Sequence, residues 1–269
     1  MPKVIVVGSV NVDTVLMVNR HPRVGETIFT NKLVIQPGGK GANQAVAAAK
    51  AGAQTYLVGL TGDDNDGKRY RKHLVNCDVD VSHLGQVEGY TGSAYIVVDS
   101  RGENSIVVDP GANQHIGEAQ VQAVRELVEP GDVVTTMNEV PTPAIIGAMG
   151  AAKERGATTV FNPSPWEEDM RRLVEMCDVV VANEFESQQL GSENRSIAMT
   201  FGARGALWDG IFAPAPAVEA FDSTGAGDVF TGTLCAMLAQ GASKEDALTV
   251  AVHKASHSVT QQGAQIWTV

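Results

Sequence analysis

The chain has 269 residues, 43% of them hydrophobic, with 31 acidic against 20 basic side chains and a formal net charge of −11. That length and apolar content suit one α/β domain, or a large one with an excursion. The acidity excludes the electrostatic footprint of a nucleic-acid or membrane-surface binder, so an anionic ligand must be held locally by backbone N–H groups or a cation.

The start, MPKVIVVGSVNVD, reads as a first strand over Val4–Val7, not a signal peptide. Extended segments follow at Thr14–Val18 and Thr27–Gln36, around HPRVGE. The alanine-rich run Gly41–Lys50 is a predicted helix that AG at 51–52 stops. Thr55–Val58 is a strand and Gly67–Leu74 a charged helix; Ser93–Val98 and Ser105–Val108 flank DSRGEN, a hairpin-type turn. Val133–Thr135, Thr159–Phe161, Val179–Ala182 and Ile197–Phe201 are strands, Pro143–Lys153 is a helix, and Gly227–Ala239 and Glu245–Val259 are the last two helices. Strand–helix alternation of this kind predicts a mostly parallel sheet covered on both faces, with a small antiparallel sheet inserted at about 14–36 and 93–109 of a single 1–269 domain. Cys77, Cys177 and Cys235 stand far apart, which points to neither zinc nor disulfides. With no apolar run of membrane-spanning length, the expectation is a cytoplasmic protein.

The stretch DSTGAGD at 222–228 opens the first of those last two helices. Unpaired N–H groups and a positive dipole end make a helix start an anion site, and Gly225, Ala226 and Gly227 let a phosphate come close. A carboxylate beside a phosphate repels it, so binding alone does not explain Asp228; a base taking a proton from an attacking hydroxyl does. The plainer alternative is that Asp228 complements the dipole and Ser223 or Thr224 caps the helix. GGKGANQ at 38–44 is a second glycine-rich helix start, where Lys40 suits an anion and Asn43 a polyol; a plain turn with a solvated Lys is the alternative. Lys40 is followed by Gly, so this is no Walker P-loop. Asn11 and Asp13 alternate in GSVNVD and share one face, as ligand groups or as a turn. In NEFE, Asn183 and Glu186 either orient the waters of Mg²⁺ or cap a helix. TFGARGAL sets two glycines after a strand, a nucleotide cradle or a hairpin turn, and His253 either touches a base or is an ordinary surface His.

GGKGAN near the start and DSTGAGD near the end, with NEFE and TFGARG between them, resemble the ribokinase family of sugar and nucleoside kinases. VVGSVNVD, HPRVGET, GENSIVVDPGAN and SVTQQGAQ extend the resemblance from about Val4 to Gln265. It implies a three-layer αβα fold with a small β lid through which two copies pair. It implies transfer of the γ-phosphate of ATP to the primary 5-hydroxyl of D-ribose, with Mg²⁺ and an activating K⁺. Carried over residue by residue, Asn11, Asp13, Gly39, Lys40, Asn43 and Glu139 hold the sugar, and Asp228 is the base. Gly225, Ala226 and Gly227 form the anion hole, Asn183 and Glu186 serve Mg²⁺ and phosphate, and Thr200, Gly202, Gly205 and His253 line the ATP site. Asp222 and Thr224 belong to a monovalent-cation loop. Sister kinases acting on deoxyribose or a nucleoside, and a non-catalytic sugar binder on a clipped scaffold, are the alternatives. Three departures stand out: only SQQLGSENRSIAM separates NEFE from TFGARG, Val252 replaces the family's Asn or His, and GAQ is followed by IWTV.

Overall fold

The computed structural model describes residues 1–190 and 196–265. In chain order the strands and helices are β1 (Val4–Val7), β2 (Asn11–Met17), β3 (Lys32–Gly38), α1 (Lys40–Lys50), β4 (Thr55–Gly62), α2 (Asn65–Asn76), β5 (Val79–Asp80), β6 (Leu84–Val87), β7 (Gly92–Val98), β8 (Asn104–Asp109), α3 (Glu118–Leu127), β9 (Val133–Met137), α4 (Thr142–Glu154), β10 (Thr158–Asn162), α5 (Arg171–Val174), β11 (Val179–Asn183), α6 (Glu184–Leu190), β12 (Ile197–Thr200), β13 (Gly205–Trp208), β14 (Ile211–Pro214), α7 (Ala226–Ala239) and α8 (Lys244–Ser258).

The large sheet runs β14-β13-β12-β11-β10-β9-β1-β4-β5, with β6 also paired to β4. From β1 through β12 its pairs are parallel, and β12–β13–β14 closes the edge as an antiparallel meander. Period-two alternation divides the side chains of β1. Val4 and Val6 pack with α1, α2, α7 and α8, whereas Ile5 and Val7 pack with α3 and α4. A buried Val contributes roughly 1.5–3 kcal/mol, so a charge at Val6 would cost the central strand its place. The chain leaves β1 toward β4 on one side and returns at β9 on the other. The carboxyl ends of β1 and β9 therefore flank a topological switch point, where open α/β sheets bind ligands.

The second sheet runs β3-β2-β7-β8, antiparallel at both outer pairs and parallel between β2 and β7. Its strand β2 starts at Asn11, earlier than expected, because Asn11–Asp13 pair with Gly38–Gln36 and with Gly92–Ala94. Its strand β3 starts only at Lys32, since β2 ends at Met17 and leaves 27–31 no strand to pair with. Helix α3 was not anticipated, although Val121, Val124 and Leu127 recur at helical spacing and the two valines are buried. The short connection from NEFE does make a parallel crossover, β11 to β12 by way of the seven-residue α6; its residues 191–195 lie outside the described residues, as does IWTV at 266–269.

Candidate active site

At the switch point the end of β3 presses on the start of β2. A side chain at Gly38 would meet the Asp13 carboxylate at 2.1 Å. Gly39 has φ +81°, and a Cβ there would lie 2.6 Å from the Asn11 nitrogen. Only glycine fits that approach and that backbone. Helix α1 then begins at Lys40, whose N–H donates to Glu139 Oε2 at 2.9 Å. Ser9 Oγ donates to the same oxygen at 2.5 Å and accepts from the Gly41 N–H. Asn113 brackets the Val10 peptide through both its N–H and C=O, and donates to Asn11 Oδ1 at 2.8 Å. Asn43 donates to Asp228 Oδ2 at 2.9 Å, while Gln44 reaches Oδ1 at 3.4 Å. Residues from β2, α1, the β9–α4 loop and α7 thus share one cluster, in which Asn11, Asp13, Asn43 and Asp228 are buried.

The charges in this cluster are unbalanced. The ammonium of Lys40 is held above its ordinary range, foremost by Asp228 and also by Glu139, Glu186 and Asp13. Burial pushes Asp13 up to about 7, with the Glu139 and Asp228 carboxylates adding and Lys40 opposing. Burial raises Glu139 as well, against Lys40 and the Ser9 hydrogen bond.

Beside the cluster lies a cavity of about 540 Å³. Thr200, Gly202 and Gly205 bound one side, and Ala226, Gly227 and Val252 another. Gly202–Arg204 also turns β12 into β13, so the glycines form both a hairpin turn and a cavity wall. Gly225, at φ +74°, places the chain for α7, and a Cβ there would meet Ala264 Cβ at 2.1 Å. The Ala226 N–H donates to Ser223 C=O, but those of Gly227 and Asp228 have no hydrogen-bond partner among the described residues. Two amides at the dipole's positive end therefore point outward beside the Asp228 side chain.

Asp222 ties the loop down, Oδ1 accepting from Thr224 N–H and Oδ2 from Gly263 N–H. Asn183 and Glu186 cap α6 reciprocally: Glu186 accepts from Asn183 N–H at 3.0 Å and Asn183 from Glu186 N–H at 2.8 Å. His253 is exposed on α8 and does not line the cavity, whereas its neighbour Val252 does; a side chain one residue along a helix points about 100° away. Among the described residues no group of three or more His, Cys, Asp or Glu side chains is placed to hold a metal.

Sequence reasoning did not single out Ser9, Gln44, Tyr70, Asn113 or Gln265, all of which hold other members in place. Four of them sit inside the quoted motifs GSVNVD, GGKGANQ, GENSIVVDPGAN and SVTQQGAQ. For Ser9, Gln44 and Asn113 the available signal was a polar residue among apolar or small ones, whereas Tyr70 sits in the charged run GKRYRKHL.

A polyol-sized polar cluster joined to an anion-ready helix start is the layout of an enzyme that moves an anionic group onto an alcohol. The whole of residues 1–268 matches the pfkB family carbohydrate kinase model. The chain is 32% identical over 280 residues to the ribokinase of Bacillus subtilis, covering 98% of this chain and 95% of that one. It is 36% identical over 292 residues to a bifunctional ribokinase/ribose-5-phosphate isomerase A from Fructilactobacillus sanfranciscensis, covering 98% of this chain but only 54% of that protein. The structure of Arabidopsis thaliana ribokinase complexed with ribose and ATP superposes with a TM-score of 0.86 at 29% identity, over 97% of this chain and 94% of that one. The chain belongs to the pfkB family of carbohydrate kinases, and it is a sugar kinase of ribokinase-like fold.

Proposed function

We propose that this kinase transfers the γ-phosphate of ATP to the primary hydroxyl of D-ribose. One observation carries the reading. Asp228 joins the two halves of the site: its loop walls the cavity, and its carboxylate is held by Asn43 in the polar cluster. In this reading ribose hydroxyls donate to Asp13 and Glu139 and contact Asn11, Gly39, Lys40 and Asn43. The nucleotide takes the cavity against Thr200, Gly202 and Gly205, with Asn183 nearby. Asp228 accepts the proton of the attacking hydroxyl, and the Gly227 and Asp228 amides face the phosphoryl group, completing the anion hole of Gly225–Gly227. A weak base suffices because the phosphoryl-transfer transition state is loose.

Mg²⁺, when bound, would supply positive charge that offsets the charge of the phosphates. The residues fit that role only indirectly: Glu186 is engaged in capping, so the ion would keep mostly phosphate and water ligands, with Glu186 reached through water. K⁺ would sit beside Asp222 and Thr224, whose amide and hydroxyl already hold that carboxylate. The small sheet would act as the lid and as the pairing surface of a homodimer, since Leu33, Tyr95, Ile106, Val107 and Val108 are exposed on it.

A coupled ADP assay with ribose, deoxyribose and a nucleoside, with and without K⁺, tests the reading. Turnover is expected with ribose and Mg-ATP, and more of it with K⁺. An inert ribose beside a reactive alternative would overturn the substrate. Calorimetric sugar binding without any sugar phosphate would make the chain a binder on a kinase scaffold.

A further inference from the structure

A chain of polar side chains runs from the buried edge of α2 to Asp228, and its donors and acceptors are determined at both ends. The Gly38 carbonyl can only accept, so the Tyr70 hydroxyl, 2.6 Å away, gives it its one proton. Tyr70 must then accept from Gln265 Nε2 at 3.0 Å. The Gln265 nitrogen therefore faces Tyr70, and its oxygen faces His73 Nε2 at 2.8 Å, which must carry the proton. The second hydrogen of Gln265 Nε2 goes to Asn43 Oδ1 at 2.6 Å. That turns the Asn43 nitrogen toward Asp228 Oδ2, an acceptor, so the far end agrees with the near one. Gln265 is 3% exposed, so its polar atoms depend on these protein partners.

We infer that Gln265 is a positioning residue for the phosphoryl-transfer step. It keeps the nitrogen of Asn43, and not its oxygen, against Asp228 Oδ2, so that Oδ1, which carries only the long 3.4 Å contact from Gln44, meets the incoming hydroxyl. An Asn43 amide turned over would set oxygen against carboxylate and drive the base off line. The other ionisable groups whose charges bear on Asp228 are Lys40 from α1, Asp13 from β2, Glu139 from the β9–α4 loop and Tyr70 from α2. None of them fixes which end of Asn43 faces it. The inference rests on Asp228 being the base.

The test measures kcat, KM for ribose and for ATP, and the thermal midpoint for Gln265→Glu, Tyr70→Phe and Asp228→Asn. Gln265→Glu keeps the shape but offers Asn43 an acceptor in place of a donor. Its kcat should fall at least about tenfold, with KM for ATP changed by less than about twofold, as misplacement of a reacting group predicts. Tyr70→Phe removes the anchor that fixes Gln265, and kcat should fall about threefold in the same pattern. A merely structural role would lower the thermal midpoint and leave kcat per folded molecule alone, and that result overturns the inference. Should Gln265→Glu not fold, Tyr70→Phe decides by the same criterion. Normal turnover by Asp228→Asn would instead sink the base assignment itself, whatever the other two variants do.

Discussion

Replacing Asp13 with Asn should make the ligand-free protein more stable above neutrality while abolishing sugar binding. Burial lifts this carboxyl from 3.8 to about 7 in the folded chain. Each unit corresponds to about 1.36 kcal/mol, so the penalty of keeping Asp13 charged reaches at most about 4 kcal/mol, burial contributing most of it and the Glu139 and Asp228 charges adding to it. The folded state binds the extra proton between pH 4 and 7, so the parent protein loses stability as pH rises through that window. Below pH 4 both states are protonated, and above pH 7 both are charged. The variant lacks the effect. Urea unfolding at pH 4.5, 6 and 8 should therefore show the variant gaining on the parent by about 1 kcal/mol per pH unit up to neutrality, then holding level. Ribose should reverse the order by stabilising only the parent. A stability difference that stays flat from pH 4.5 to 8 would refute the claim that Asp13 is buried as a protonated acid.

Asp228→Asn should lower kcat by at least about 100-fold while ribose binding survives, because a positioned base is lost and the shape is not; steady-state kinetics with calorimetry checks both halves. Gly225→Ala should lose roughly 1–3 kcal/mol of stability, since φ is +74° and the added methyl meets Ala264, and thermal unfolding will show it. Asp222→Ala releases the Thr224 and Gly263 amides at once, so both K⁺ activation and ATP affinity should weaken, read from KM for ATP against K⁺ concentration.

How legible the molecule was depended on how local each signal is. The run VIVV and the helix GANQAVAAAK declare themselves because burial on both faces and alanine content are properties of short stretches. Asn11 and Asp13 were legible as a pair, but not as members of β2, since their strand is made by Gly38 and Gly92, distant in sequence. NEFE admitted both a capping and a functional reading, and the structure confirms the cap; a hydrogen-bond box looks the same whatever else its Glu does. His253 was placed by adjacency to Val252, and helix geometry turned it to solvent. Gln265 and Asn113 were invisible as site members because their partners, Asn43 and Val10, lie far away along the chain.

The charge of the cluster narrows what this site can hold. Asp13, Glu139, Glu186 and Asp228 all act on one Lys40, and Asp13 and Glu139 are pushed toward their neutral forms by burial first and by neighbouring carboxylates second. Like charges about 4 Å apart repel by roughly 4 kcal/mol at the dielectric of a partly buried site. A sugar acid would bring a further negative charge into that field and be refused. A neutral polyol brings hydroxyl donors instead, and each hydrogen bond to Asp13 or Glu139 favours the charged carboxylate and weakens its hold on the proton. Binding ribose near pH 6 should therefore release protons, which calorimetry in two buffers of different ionisation enthalpy would count. Proton uptake, or none, would mean that the sugar does not meet Asp13 at all.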